Sequence, residues 1–162
     1  MSLTSLLHAL LLLALANGVP VLAKRLLGQR WVWPVDGGVV LRDGRRLLGK
    51  SKTWRGVVLG CAVPALAAPL LGLAWTVGAL FGASAMAGDL LSSFIKRRAG
   101  VAASGRVPAL DQLPEALLPL AVCRDPLGLD AGGVLLGAAI FWGINAGLSP
   151  LLYRLGVRDR PY

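Results

Sequence analysis

From Gly56 to Ile95 the chain reads GVVLGCAVPALAAPLLGLAWTVGALFGASAMAGDLLSSFI, a block in which Asp89 is the single charge. At 1.5 Å of rise per residue these residues would make one helix of about 60 Å, twice the ~30 Å hydrocarbon thickness of a bilayer. The block must fold back on itself. The spacing predicts two spans, 56–74 and 76–95, turning near Leu73 to Thr76. Working outward, an apolar run from Leu3 to Ala23 precedes a polar stretch, 24–55. A second polar segment, 96–109, follows the double span. A shorter apolar piece at 110–123 contains Pro114, Glu115 and Pro119, and a last apolar run covers 133–153. The expected fold class is all-α: a polytopic membrane protein of about five transmembrane helices forming one integral membrane domain over 1–162.

Composition agrees with that reading. Hydrophobic residues make up 56% of the chain and charged ones 15%, with a mean hydropathy of +0.67. A soluble domain carries nearer ~25% charge, and a disordered chain far less apolar content. Of the 17 Lys and Arg, nine lie in 24–55, four in 96–106 and three in 154–160, leaving Arg124 alone in the remaining loop. Five crossings put the first three groups on one side, so the positive-inside rule predicts an outside N-terminus, a cytoplasmic C-terminus and cytoplasmic loops 24–55 and 96–109. Ala14-Leu15-Ala16 resembles a signal-peptidase site, yet no Lys or Arg precedes it, so the first run is read as a span.

The same composition excludes several function classes. Cys61, Cys123 and the single His8 cannot build a Cys/His zinc site or a Ser-His-Asp hydrolase. No soluble region is long enough to present a groove-reading element, so the basic balance points to phosphates and headgroups, not to nucleic acid.

Asp89 is the most informative residue. It lies six residues before Ile95, about 9 Å below the cytoplasmic end of its span. A mid-span acid costs at least ~2.5–3.5 kcal/mol, so it should face a wet cavity or a partner. Ser92, Ser93 and Lys96 follow at three, four and seven residues, predicting one face directed at the cytoplasmic mouth. Upstream, Gly78 and Gly82 form a GxxxG surface suited to close helix approach.

The 24–55 segment holds Arg42-Asp43-Gly44-Arg45-Arg46-Leu47-Leu48-Gly49-Lys50-Ser51-Lys52-Thr53-Trp54-Arg55. Gly44 to Ser51 fits G-x4-G-K-S literally, but a P-loop needs a strand before it and a sheet around it, whereas a span follows here. The weaker reading is a flexible loop whose Arg45, Arg46, Lys50, Lys52 and Arg55 suit a polyphosphate. Topology-setting charge alone is the bland alternative, and it would not call for Asp36, Trp54 and the four glycines between them interleaved among the cations. Asp111 and Glu115, four apart in Asp111-Gln112-Leu113-Pro114-Glu115, add carboxylates near the same membrane surface. Two carboxylates among many cations suggest metal-assisted phosphoryl transfer.

Taken together, Asn17-Gly18-Val19-Pro20, Pro34-Val35-Asp36, Asp43-Gly44-Arg45-Arg46, Gly49, Lys52-Thr53-Trp54-Arg55-Gly56, Gly88-Asp89, Ser93-Phe94-Ile95-Lys96-Arg97-Arg98 and Leu110-Asp111-Gln112-Leu113 resemble the CDP-archaeol synthase family. That family is related to the phosphatidate cytidylyltransferases, whose signature S-x-x-apolar-K-R is similar to Ser92 to Arg97. The resemblance implies a five-span enzyme that transfers CMP from CTP to a phosphorylated glycerolipid drawn from the inner leaflet, releasing pyrophosphate with Mg²⁺. It implies Asp89 and Asp111 as metal ligands and, with Lys96, as the catalytic set. Lys52, Arg55 and Arg97 would contact phosphates, and Asn17, Asp36, Arg45, Arg46, Lys50, Thr53, Ser92, Ser93 and Gln112 would complete the substrate site. Where the family has a final Asp this chain has Pro114, and Glu115, one position along, is expected to support the metal from behind. The acceptor stays open between an ether-linked isoprenoid lipid and a diacyl one, as does a homodimer. The alternative function is a small membrane transporter or channel for a phosphorylated solute.

Overall fold

The computed structural model describes residues 1–101, 105 and 107–154. It contains five α-helices: α1 (Leu3–Leu27), α2 (Trp54–Ala67), α3 (Trp75–Arg98), α4 (Pro108–Val122) and α5 (Ala131–Arg154), with a 3-10 turn at Ala68–Leu71 extending α2. No β-strand occurs among the described residues, only two isolated antiparallel bridges. Arg158 and Arg160, part of the argument for sidedness, lie outside the described residues.

Boundaries differ from the expected spans by local chemistry. α1 continues past Ala23 to Leu27, because Lys24 and Arg25 suit the negative end of its helix dipole. α2 starts at Trp54, where the Thr53 hydroxyl accepts the Gly56 N–H and caps the helix. The turn between α2 and α3 falls slightly early, at Gly72, which takes the left-handed conformation (φ 74°) after Pro69. Pro108 opens α4, where its missing N–H matters least.

Four of the helices, counting α2 with its 3-10 extension as one, are long and apolar enough to cross a membrane. At 15 residues, α4 reaches only about 22 Å, short of the ~30 Å core. Leu26 and Leu70 are 82% and 87% exposed, an outward apolar surface that suits lipid and not water. Inside, Leu12, Leu13, Phe81, Leu120 and Cys123 are fully buried in one cluster.

Glycines set how tightly α3 threads between α2 and α4. A Cβ on Gly78 would strike the Pro64 carbonyl, and one on Gly82 would lie 2.7 Å from Cys61 Cα. One on Gly88 would meet the Pro114 carbonyl, with Glu115 N at 2.8 Å. Lipid chains are as apolar as leucine, so close backbone approach supplies the attraction between helices. The GxxxG surface therefore does the packing expected of it. Gly88 extends it to α4 and so fixes where Pro114 and Glu115 sit against Asp89.

Candidate active site

Residues 28–53 fold over one end of the bundle around the Asp36 carboxylate. Its side chain is fully buried and accepts the N–H groups of Gly38 (3.0 Å), Leu48 (3.2 Å) and Gly49 (3.1 Å) and the Arg46 guanidinium (2.6 Å). Burial alone would push its pKa up, but these donors outweigh burial and lower it to about 2. Asp36 thus organises the loop and does not line the cavity described below, where a substrate contact had been expected. Leu41 and Leu47 bond back to Arg45 and Val39 in a small hairpin whose turn holds Gly44 at φ 73°. The G-x4-G-K-S stretch is the returning arm of this hairpin. No strand precedes it and α2 begins only at Trp54, so it is not a P-loop.

A clamp of arginines pins the hairpin to the end of α3. Arg98 pairs with Asp43 (2.6 Å) and donates to the Arg46 carbonyl (2.7 Å), while Arg45 donates to the Arg98 carbonyl (2.9 Å). Desolvation would raise the Asp43 carboxyl, but hydrogen bonds from the Arg45 N–H and from Arg98 outweigh it and hold this exposed group below its ordinary range. Arg45, expected at a polyphosphate, is committed to this clamp.

Beneath the loop lies a cavity of about 1080 Å³. Asn17 and Lys24 reach it from α1, Arg46, Lys50, Lys52 and Thr53 from the loop, Arg55 from α2, Asp89 from α3 and Glu115 from α4. Its other wall is apolar, with Leu10 and Ala14 from α1 and Phe141, Ile144 and Leu148 from α5. Lys52 Nζ donates to both Asp89 oxygens at 2.6 Å, with the two side chains 21% and 24% exposed. Arg55 spans the gap to α1, donating to the carbonyls of Gly28 (3.1 Å) and Arg30 (2.6 Å). Its guanidinium therefore closes the α1 terminus besides facing the cavity. The Asn17 amide bonds the Leu13 carbonyl (3.1 Å).

The expected face of Asp89, Ser92, Ser93 and Lys96 divides. Ser92 and Ser93 are buried, with the Ser92 hydroxyl donating to the Asp89 carbonyl (3.0 Å), and neither lines the cavity. Lys96 pairs with Asp111, whose other oxygen accepts the Val107 N–H (3.0 Å) and caps α4. Arg97 and Gln112 are buried and do not line the cavity. Nor does Asp111: the carboxylate that shares the cavity with Asp89 is Glu115. No three His, Cys, Asp or Glu converge among the described residues. A metal here would draw on Asp89 and Glu115 and complete its shell from substrate phosphates and water.

Lys24 and Asn145 also reach the cavity without having been singled out. Helical spacing carried the signal for Lys24, which follows Leu10, Ala14, Asn17 and Val21 along one face of α1. Asn145 is a polar residue in the apolar run of α5, on the same face as Phe141 and Leu148.

The chain is similar to known proteins along most of its length. The family model of the CarS-like CDP-archaeol synthases matches residues 3–75 and 71–162. The CDP-archaeol synthase of Thermococcus kodakarensis is 35% identical, over 91% of this chain and 89% of its own. That of Methanosphaerula palustris is 38% identical, over 80% and 89%. A solved structure of an intramembrane enzyme for archaeal membrane lipid biosynthesis superposes with a TM-score of 0.70 at 34% identity, over 84% of this chain and 89% of that one. A cation-lined cavity with a mid-span Asp, in a helical membrane fold matched along its length, leads to one assignment: the chain belongs to the CDP-archaeol synthase family.

Proposed function

We propose that this protein is a membrane CTP-dependent cytidylyltransferase that moves CMP from CTP onto a phosphorylated ether-linked isoprenoid glycerolipid. The observation that carries this reading is the two-sided cavity. Lys24, Arg46, Lys50 and Lys52 line it with Asp89 and Glu115, and its apolar wall comes from α1 and α5, two helices long and apolar enough to span. CTP arrives from water at the charged end, and the acceptor's chains stay against the apolar wall. A phosphomonoester has a second pKa of ~6 and is largely dianionic at neutral pH, so its oxygen attacks the α-phosphorus without a general base. The α–β phosphoanhydride bond breaks and the electron pair leaves with pyrophosphate. Lys50, Lys52 and Arg46 neutralise the phosphates and hold them in line. Such chemistry asks for no histidine.

Mg²⁺ fits the donor set, because it binds through one or two carboxylates together with substrate phosphates. Asp89 and Glu115 would hold it, and it would supply further charge neutralisation. Asp111 and Lys96 then act from behind, tying α4 to α3. The basic loop over the cavity and the positive-inside rule support a cytoplasmic site, with the N-terminus outside. The transporter reading has no support in the family match.

The test is purified protein in nanodiscs with CTP, Mg²⁺ and either an ether-linked isoprenoid glycerol phosphate or phosphatidate. Pyrophosphate release with the ether lipid is the expected result. Uptake of a phosphorylated solute into vesicles without nucleotide turnover would overturn the reading.

A further inference from the structure

The chain between α1 and the hairpin has a feature that catalysis leaves unused. Val32 and Pro34 line the cavity, while Trp31 and Trp33, alternating with them, point away and are 64% and 70% exposed. This arm is tied at both ends to the charged end of the cavity. Trp54 N donates to the Trp33 carbonyl (3.0 Å), Val35 N donates to the Lys52 carbonyl (2.8 Å), and Arg55 holds the Gly28 and Arg30 carbonyls. Trp31 has φ 55°, a left-handed backbone that a large aromatic residue rarely adopts and that is held only where surroundings over-determine it. Here the Arg55 bond to the adjacent Arg30 carbonyl is such a constraint.

The position of the arm says what covers it. Trp54, its hydrogen-bonded neighbour, is the first residue of a helix long and apolar enough to span, so the arm lies at a membrane boundary. Trp75, 63% exposed, opens α3 after the turn that ends α2. Indoles left in water would be an unfavourable apolar surface, whereas the headgroup zone accommodates both ring and N–H. Exposed Arg25 and Arg30 precede Trp31 and Trp33 in the chain with charge that suits lipid phosphates. We propose that residues 28–35 are an interfacial anchor whose tryptophans sit in the headgroup layer while Val32 and Pro34 wall the cavity, so that this arm is the threshold over which a lipid phosphate passes to Lys50 and Lys52.

The kinetic part of the test rests on the transferase reading; the depth measurement does not. A variant keeping Trp33 alone, with the other four tryptophans changed to Phe, is reconstituted into vesicles of phosphatidylglycerol brominated near the carbonyl end of its chains. Its fluorescence should fall by about half relative to unbrominated vesicles, as expected for an interfacial indole. In a second variant, Trp31→Ser with Trp33→Ser should raise the KM for a long-chain acceptor about tenfold, leave that for CTP within about twofold, and be rescued by Tyr at both positions, which also favours the interface. A water-soluble short-chain acceptor should show no change. Unquenched fluorescence in a variant that still turns over CTP overturns the proposal. So does a disulfide between two copies of a Trp33→Cys variant formed in the membrane, which would assign this face to a second copy of the chain. If even the unaltered protein shows no transfer, the functional reading fails while the quenching result still decides the anchor.

Discussion

The Lys52–Asp89 pair can be broken in a way that reports its own strength. Both carboxylate oxygens accept from one ammonium at 2.6 Å, and roughly a fifth of each side chain meets solvent. Charge-assisted hydrogen bonds contribute about 1.5–3 kcal/mol each, and partial solvation places this pair toward the lower end. Asp89→Asn strands the Lys52 ammonium, and Lys52→Met strands the carboxylate, each beside an apolar wall. Each single change should cost about 2–3 kcal/mol, mostly for the charge left behind. The double variant strands nothing and should cost only about 1 kcal/mol, so the coupling energy should be about 3–5 kcal/mol in magnitude. Thermal unfolding in detergent measures this as shifts of about 2–4 °C per kcal/mol at this chain length. The singles should melt well below the double. Additivity within about 0.5 kcal/mol would refute the pairing. CTP turnover should be lost in all three, because the cavity loses a carboxylate proposed to hold the metal, a cation proposed to meet the phosphates, or both.

The Asp36 hub gives a pH dependence with a definite sign. Its carboxyl is lowered from 3.8 to about 2, so its stabilisation is complete above pH 4 and is lost as pH falls toward 2. The shift corresponds to about 2 kcal/mol. Asp36→Asn should remove that at pH 7 and speed amide exchange at Leu48 and Gly49, and wild-type protection at those amides would contradict the hub. For the metal, Glu115→Gln should raise the Mg²⁺ concentration at half-maximal rate about 10–100-fold, while Asp111→Asn should lower stability and leave that concentration nearly unchanged. A larger Mg²⁺ shift for Asp111→Asn would return the ligand role to Asp111.

The helices were legible in the sequence because hydropathy is a local property. A charge-poor run of given length has one way to satisfy its backbone in lipid, and Thr53, Gly72 and Pro108 carry their own start and stop signals. Asp89 was legible because a mid-span acid is costly wherever the helix docks. Family membership was legible too, since its motifs are ordered residue types. Which groups meet was not. Asp89, Ser92, Ser93 and Lys96 do lie on neighbouring turns, but α3 packs against both α2 and α4, so that stripe is shared among the cavity, the buried interior and Asp111. Asp111 and Glu115 share a face by spacing, yet the close approach of Gly88 to Pro114 sets how α4 is docked and so brings Glu115 to the cavity. The roles of Asp36, Arg45 and Arg55 depended on backbone groups from segments distant in sequence. Periodicity determines where side chains lie around one helix axis; only contact between backbones determines which neighbour each of them faces.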